Sequence, residues 1–443
     1  MSILVTVAHV LHTALGAAMD RIGRQSGVIQ RQRKFSGSTL LKTLVLTFLK
    51  FPNARPDQFA TTAAQLGVPV TPEAVQKRFT PRLISFLRAS LEHLLAHSIS
   101  ADQAMVPLLK RFPAVEVGDS STITLPDEYA AEFPGCGGKA DSGKAAVKLQ
   151  VRWNLSNGEL SKLVVEAGRC SDGTNEAAEA PLERGALSLR DLGYFNLKRF
   201  QQLTAQGVYW ISRWQQGTLV FDPQGRQLQL LEHLREHRGA GPIDMPILLG
   251  TAERLPCRLI ALRVPPEMVA RRRQAAYEKA RKHGRQPTQE HLAWCEWTVL
   301  VTNCPEELLS WKEVIVLYRL RWQIELMFKL WKSHNHLAAS RPNWSAVERM
   351  AAFWAKLIGV VVQHWLLVMA TWSEARRSLW KAAQIIRDWV PVLTEALKQE
   401  DRLIEALTNL IAAIDAVAKQ KLRRKHPSSF QLLSDPELLD WIC

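Results

Sequence analysis

Paired cysteines and common hydrolase motifs are missing from this sequence. Its six cysteines are scattered along the chain, and no two of them form a CxxC pair. Neither HExxH nor GxSxG occurs, and no cysteines and histidines show the spacing of zinc ligands. These absences argue against a zinc ribbon and against a dense disulfide scaffold, and such cysteine usage suits a reducing cytoplasm.

The sequence also lacks an uninterrupted apolar run that could span a bilayer. In the best candidate, Met350–Trp372, residues such as Lys356 and His364 leave apolar stretches far short of the ~20 residues needed. The N-terminal segment is apolar, but it opens without the cationic region of a signal peptide. We therefore expect a soluble, cytoplasmic protein with no membrane contact, in which Met350–Trp372 forms a buried core helix.

Acidic residues are in deficit. The chain has 57 Lys+Arg against 42 Asp+Glu, which gives a net charge of +15. Such an excess indicates a polyanionic partner, with nucleic acid the first candidate and an anionic membrane the second. With 443 residues, of which 47% are hydrophobic, the chain is long enough for two or three domains of ~100–200 residues. A disordered or collagen-like chain is excluded.

The N-terminal part of the chain predicts a helical DNA-binding domain over residues 1–112. Within it, Pro56–Thr80 has the pattern helix, turn, helix, with Thr71 as the N-cap of the second helix. Lys77 and Arg78 lie on that second helix, where contacts to a DNA groove are expected. An ordinary αα-hairpin is the alternative interpretation.

The rest of the chain predicts an α/β fold, with a mixed sheet and helices interrupted by a β-rich insertion. Strand and helix patterns alternate over 113–214, which form the first part of the core. Short strands fill the insertion at 215–300, which also holds the basic run Arg271–Arg285. A helix within 301–345 completes the core, and 346–443 form a helical C-terminal region that ends in the basic run Lys419–Lys425.

One helical stripe carries the strongest constellation of polar residues. Its members recur at spacings of 3, 4 and 7 residues: Tyr318, Arg321, Glu325 and Lys332. At about 100° per residue they fall within an arc of about 60° on one helical face. A solvated face with an i,i+4 ion pair is one interpretation. Apolar residues cover most of the remaining helix surface, and this favours a buried or cleft-lining charge that needs a partner or a metal.

Two aspartates follow short apolar strands of the predicted sheet. Asp119 follows AVEVG, and Asp191 follows ALSLR. Taken singly, each is equally well explained as a cap or a surface residue. Ligand sites of open α/β sheets cluster at the carboxyl ends of strands, where both aspartates could face Glu325. Three mutually repelling carboxylates form an oxygen-only site of the kind that Mg²⁺ or Mn²⁺ prefers.

The helical stripe resembles the Y-R-E-K signature of bacterial insertion-sequence transposases of the DDE class. GDSSTITLP, which begins at Gly118, resembles the first-aspartate motif of that family, and DLGYF, which begins at Asp191, resembles the second. Hairpin-forming members carry a β-rich insertion before the glutamate helix, and residues 215–300 match its position. The resemblance therefore covers most of the chain.

The resemblance implies an RNase H-like core and a role for each motif residue. The catalytic and metal-binding residues would be Asp119, Asp191 and Glu325. Tyr318, Arg321 and Lys332 would position DNA near the point of cleavage. Trp297 occupies the place of a tryptophan that stacks on a flipped base in hairpin-forming relatives; a core tryptophan is the alternative, and Trp294 could fill the role instead.

The function implied is that of a DNA transposase. It would cleave transposon ends and join the freed 3′-OH to target DNA by two-metal-ion chemistry, in a cut-and-paste reaction with a hairpin intermediate. The cofactors would be two Mg²⁺ ions, for which Mn²⁺ could substitute. The partners would be double-stranded DNA, as terminal inverted repeats and as target, and a second copy of the chain in a synaptic homodimer. A non-transposing nuclease with the same core and a catalytically lapsed DNA-binding protein are the alternatives, and the three intact carboxylates count against lapse.

Overall fold

The computed structural model describes residues 2–441 except 32, 103–105, 137–143, 173–176, 178–179, 238, 240, 373, 375 and 424–426. Its strands are β1 (Val115–Leu125), β2 (Ala145–Asn154), β3 (Leu160–Ala167), β4 (Leu187–Arg190), β5 (Tyr209–Arg213), β6 (Val220–Phe221), β7 (Gln227–Leu228), β8 (Ile243–Leu249), β9 (Leu255–Arg263) and β10 (Trp297–Thr302).

Helices lie before, within and after this strand-rich region of the sequence. They are α1 (Ile3–Ala14), α2 (Ala17–Gln25), α3 (Gly37–Lys50), α4 (Pro56–Gln65), α5 (Pro72–Gln76), α6 (Pro81–Leu95), α7 (Leu197–Ala205), α8 (Leu230–Glu236), α9 (Pro266–Lys282), α10 (Gln289–Trp294), α11 (Trp311–Leu320), α12 (Trp322–Lys329), α13 (Ala346–Thr371), α14 (Leu379–Ala396), α15 (Glu400–Val417) and α16 (Ser429–Ser434). A π-helical turn, Leu330–His334, follows α12.

The strands form one mixed sheet, which confirms the α/β class. Their order is β3-β2-β1-β4-β5-β10-β9-β8-β6-β7. Strands β1, β4 and β5 are parallel, whereas the other pairs are antiparallel. The strands of the 215–300 segment therefore extend the sheet of the core instead of forming a separate one. That segment also contains α8, α9 and α10, and most of its basic run lies on α9.

Strand β1 is longer than its sequence predicts. The pattern favours a strand that ends at Gly118, but β1 continues through Asp119 to Leu125 because its second half pairs with β2. Its parallel pairing with β4 stops at the pair Gly118 and Arg190. Asp119 and Asp191 thus stand one residue beyond the end of the parallel ladder.

The N- and C-terminal helices pack around α13 in a layer against the sheet. A single apolar core joins residues of α1, α3 and α6 with residues of α13 to α15 and with β1 and β2. Helix α13 begins at a capping box, in which Ser345 Oγ accepts from the Glu348 amide and the Glu348 carboxylate accepts from the Ser345 amide. A smaller apolar core lies beneath the sheet extension.

Two helical segments are long and apolar enough to cross a membrane, Ile3–Gln25 and Ala346–Thr371. The second is α13, whose apolar window is wholly buried inside the protein, as predicted for a core helix. The first is divided into α1 and α2. Lys356 is tolerated within α13 because its ammonium group donates to the carbonyl oxygens of His336 and Ala339.

The helix-turn-helix pattern folds as α4 and α5. Thr71 is the N-cap of α5, as predicted, and its Oγ1 accepts a hydrogen bond from the Ala74 amide at 3.3 Å. Helix α5 has only five residues, and Lys77 is its C-cap. So short a helix offers little length for reading a DNA groove.

Candidate active site

The two aspartates lie side by side at the edge where the parallel strands end. β1 and β4 are neighbours in register, and Asp119 and Asp191 each follow the last paired residue of their strand. Side chains alternate along a strand, so Asp119 points to the face opposite that of Gly118 and Ser120. Asp119 Oδ1 accepts a hydrogen bond from the Ser120 amide at 2.8 Å, and Asp191 caps the short 3₁₀ turn that follows β4.

Arg321 joins the second aspartate to the glutamate. Its Nη1 donates to Glu325 Oε1 at 2.7 Å, and its Nε lies 3.7 Å from Asp191 Oδ1. The Arg321 side chain is only 16% exposed, so the i,i+4 pair does not belong to a solvated face. Although burial acts to lower it, the charge of Asp191 and the hydrogen bond to Glu325 raise the pKa of Arg321.

The charges of Arg321, Asp191 and Glu325 all act on the carboxyl group of Asp119. Burial raises its pKa to about 6, and the negative charges of Asp191 and Glu325 act in the same direction. The hydrogen bond from Ser120 and the charge of Arg321 oppose this rise. The three acids therefore converge electrostatically on one region, and a single guanidinium compensates them only in part.

Tyr318 and Lys332 flank this region on the same helical stretch. The hydroxyl of Tyr318 is buried near the main chain of Arg213, and burial raises the pKa of the phenol. Lys332 Nζ donates to the carbonyl oxygen of Thr122 in β1 at 2.9 Å, and burial lowers its pKa. The helix is not uniform here, because regular α-helical hydrogen bonding is interrupted at Arg321 and Lys332 lies in the π-helical turn.

Trp297 lies in the apolar core of the sheet extension. It is 4% exposed and packs with residues such as Leu259 and Val301. Trp294 is half-buried and contacts the ring of Trp214, with 4.7 Å between ring centroids. The position of Trp297 agrees with the core interpretation of this residue, and the more accessible indole is that of Trp294.

The carboxylates suit a hard divalent cation by their chemistry. They supply only oxygen ligands, and the charges of Asp191 and Glu325 add to the rise that burial causes in the pKa of Asp119. Their oxygens are not drawn together within 4.8 Å; among the described residues, that degree of clustering occurs at His233, Glu236 and His237, in and next to α8. Arg321, which lies between Asp191 and Glu325, accounts for this spacing.

Sequence reasoning missed the contacts behind the two aspartates. Arg190 packs so closely on Gly118 that a Cβ there would lie 2.6 Å from its Nη1. Burial lowers the pKa of Arg190 to about 10. Asp172, which no motif in the sequence singles out, accepts a hydrogen bond from Ser120 Oγ. The positions of Gly118 and Arg190, each directly before a motif aspartate, were a signal for the contact between them. No local pattern indicates the contact between Ser120 and Asp172.

These features define an enzyme of the DDE class, with an α/β core that brings acidic residues to the end of a parallel ladder. Residues 113–358 match the family described as transposase DDE domain. The match begins just before β1 and ends within α13, so it includes all three acids. The chain belongs to this family and is a bacterial insertion-sequence DDE transposase.

The relatives agree with this assignment over nearly the whole chain. The transposase for insertion sequence element IS231B of Bacillus thuringiensis subsp. berliner is 26% identical over 439 residues, which cover 92% of this chain and 89% of the relative. The transposase for IS1151 of Clostridium perfringens is 25% identical over 335 residues, or 71% of this chain and 70% of the relative. The protein is thus a DNA transposase whose family uses divalent metal.

Proposed function

We propose that this transposase cleaves the ends of its transposon and joins the freed 3′-OH to target DNA, with Asp119, Asp191 and Glu325 as catalytic and metal-binding residues of an RNase H-like core. The observation that carries the proposal is the convergence of the three acids on Arg321 at the end of the parallel ladder. Two Mg²⁺ ions, or Mn²⁺ in their place, would activate the attacking oxygen and stabilise the leaving oxygen.

The remaining residues of the stripe act on DNA and on the strand that carries Asp119. Lys332 holds the π-helical turn to β1 through the Thr122 carbonyl, three residues beyond Asp119. Arg321 compensates the negative charges of Asp191 and Glu325. Together with Tyr318 and Lys332, it would position the scissile phosphate. These three roles follow the resemblance to the Y-R-E-K signature.

A hairpin intermediate with a flipped base needs an accessible aromatic face. Trp297 is 4% exposed, so stacking on its ring would require the surrounding core to open. The half-buried Trp294 is therefore the better candidate of the two for a stacking role. The insertion and this indole support cut-and-paste transposition through a hairpin.

A basic groove supports end binding by residues 1–112. It has a volume of about 660 Å³ and is lined by five cations: Arg31, Arg33, Lys77, Arg78 and Arg82. Within the described part of the chain, none of the five forms an ion pair with an acid. The α2–α3 connection and the start of α6 form its walls, so phosphate contacts would come from several elements and not from α5 alone.

Helix α9 offers a second basic surface. Arg272 donates to the Trp297 carbonyl and to Thr298, and Arg273 pairs with Glu296, so both arginines hold α9 to the start of β10 and the residue before it. Arg271 and Lys279 are exposed on the same helix. Contacts between such cations and flanking DNA phosphates would weaken steeply with salt. The predicted tail run at Lys419–Lys425 lies partly outside the described residues.

The decisive experiment compares Glu325→Ala with Glu405→Ala, a change at an exposed acid of α15. On DNA with labelled terminal repeats, Glu325→Ala should abolish Mg²⁺-dependent cleavage and keep end binding, whereas Glu405→Ala should retain both. Cleavage by Glu325→Ala would contradict the triad. Cleavage without strand-transfer products would indicate a nuclease, and binding without cleavage by the parent protein would indicate lapsed catalysis.

Synapsis of two ends requires at least two protomers, and we propose a homodimer on DNA in the bacterial cytoplasm. Light scattering of the protein with and without end DNA tests this. Removal of residues 1–112 is a poor test of end recognition, because these helices share a core with α13. Charge reversal of Arg31 and Lys77 in the groove leaves that core intact and should weaken end binding.

A further inference from the structure

The face of the sheet opposite the catalytic carboxylates is polar although it is buried. Along β2 the residues on that face are Lys148, Gln150 and Arg152, which are 8%, 1% and 3% exposed. Buried polar groups are costly unless they are hydrogen-bonded. This layer lies directly behind the residues that flank Asp119, because Ser120 pairs with Gln150 in the β1–β2 register.

Asp172 accepts hydrogen bonds from two residues of this layer and from Ser120. Its Oδ1 accepts from Ser120 Oγ at 2.8 Å, from Lys148 Nζ at 3.0 Å and from Gln150 Nε2 at 3.4 Å. Although partial burial opposes the change, the hydrogen bonds from Lys148 and Ser120 lower the pKa of Asp172. The side chain of Asp172 is 39% exposed, so it reaches this layer from the edge of the fold.

The same layer continues to the loop that carries Asp191. Gln150 uses its other amide atom, Oε1, to accept a hydrogen bond from the Tyr194 hydroxyl at 3.2 Å. Tyr194 is three residues beyond Asp191, and the guanidinium of Arg190 lies 5.2 Å from the centre of its ring. Burial and then the charges of Asp119 and Asp172 raise the pKa of Tyr194.

The hydrogen bonds from Ser120 to Tyr194 link the strand that carries Asp119 to the loop that carries Asp191. The main-chain ladder between β1 and β4 ends at Gly118 and Arg190, so no hydrogen bond of that ladder holds Asp119 beside Asp191. The spacing of the two carboxylates must be set by other contacts. Metal ions tolerate only small changes in ligand spacing, and outer partners that orient the ligands affect metal affinity strongly.

We propose that Asp172 and Gln150 form a positioning bridge from Ser120 to Tyr194, which holds Asp119 and Asp191 at the spacing that divalent metal requires. The inference rests on the proposed function of the two aspartates and adds residues behind the sheet that act through them. Asp172, Gln150 and Tyr194 are positioning residues, and none of them touches the metal or the DNA.

The test measures end cleavage by the full chain as a function of Mg²⁺ concentration. Asp172→Ala and Tyr194→Phe each break the bridge, and each should raise the half-saturating Mg²⁺ concentration about 10-fold, the lower end of the usual effect of outer-shell partners. Cleavage at saturating Mg²⁺ should recover to within about 3-fold of the parent. Ser120→Ala should behave like Asp172→Ala, whereas Ser120→Thr keeps a hydroxyl donor and should restore the parent value.

The matched control is Asp222→Asn, which removes an acid that pairs with Arg226 in the sheet extension and should leave the Mg²⁺ dependence unchanged. Thermal unfolding of every variant separates a folding defect from a change in metal affinity. An unchanged half-saturating concentration in Asp172→Ala, or a loss of cleavage by the same factor at every Mg²⁺ concentration, would overturn the bridge. Cleavage that survives Asp119→Asn would instead overturn the proposed function itself.

Discussion

The side chain of Arg190, on β4, packs against Gly118 on the neighbouring strand β1, in the space that a side chain at position 118 would occupy. A Cβ at position 118 would lie 2.6 Å from Arg190 Nη1 and 2.7 Å from its Cζ. A side chain at position 118 would therefore require the Arg190 guanidinium to shift. Gly118 and Arg190 form the last pair of the parallel ladder, and each is followed directly by an aspartate, Asp119 or Asp191.

Gly118→Ala should destabilise the protein by about 1–3 kcal/mol, the usual cost of inserting a methyl group into a packed site. The rate of end cleavage should also fall, and by more than the loss of folded protein explains, because the two aspartates move. Gly193→Ala is the matched control in the loop after Asp191, where an added Cβ meets nothing within 4 Å. Chemical denaturation and an end-cleavage assay check both variants, and equal effects of the two would refute the packing argument.

Arg321→Gln should lower the stability of the metal-free protein and increase its stabilisation by Mg²⁺. Without metal, Asp191 and Glu325 lose their shared cation, so the free energy of unfolding should fall by about 1–3 kcal/mol. The rise in melting temperature on addition of Mg²⁺ should then exceed that of the parent. Arg55→Gln, at an exposed pair with Asp57, should change neither quantity.

The raised pKa of Asp119 predicts a pH dependence of metal binding. Its pKa of about 6 exceeds the ordinary value of 3.8, so its stabilising contribution is fully present below pH 3.8 and is lost as the pH rises through 6. Mg²⁺ binds the ionised form, and the Mg²⁺-induced rise in melting temperature should therefore grow up to about pH 6 and then level off. Asp119→Asn should stabilise the metal-free protein above pH 6 by roughly 1–3 kcal/mol and remove this dependence. A flat profile in the parent protein would contradict the assignment.

His364 predicts a loss of stability in acid. It is buried in α13, where its Nε2 donates to the Gly158 carbonyl at 2.8 Å, and burial lowers its pKa to about 4. A lowered pKa means that the stabilising contribution is present above pH 6.5 and is lost as the pH falls through 4, by up to roughly 3 kcal/mol. His364→Gln should flatten this part of the curve of unfolding free energy against pH. If the parent and the variant lose the same unfolding free energy as the pH falls through 4, the prediction is wrong.

The sequence by itself determined much of the helix that carries Glu325 and the class of fold. Spacings of 3, 4 and 7 residues placed Tyr318, Arg321, Glu325 and Lys332 on one helical stretch, and a short-range ion pair between Arg321 and Glu325 follows directly from i,i+4 geometry. The burial of α13 and the N-cap at Thr71 were likewise predicted from the sequence, because hydrophobic patterning and capping depend on residues close together in the chain.

Only the tertiary structure decided which long-range partners complete the site. Asp172 is 52 residues from Ser120 and 22 from Gln150, and its role depends on a strand register that no local pattern encodes. The same holds for Trp297, whose burial depends on packing between the sheet and its neighbours. Secondary structure follows from interactions within a few residues, whereas the spacing of Asp119 and Asp191 arises from contacts that form once β1, β2 and β4 lie side by side.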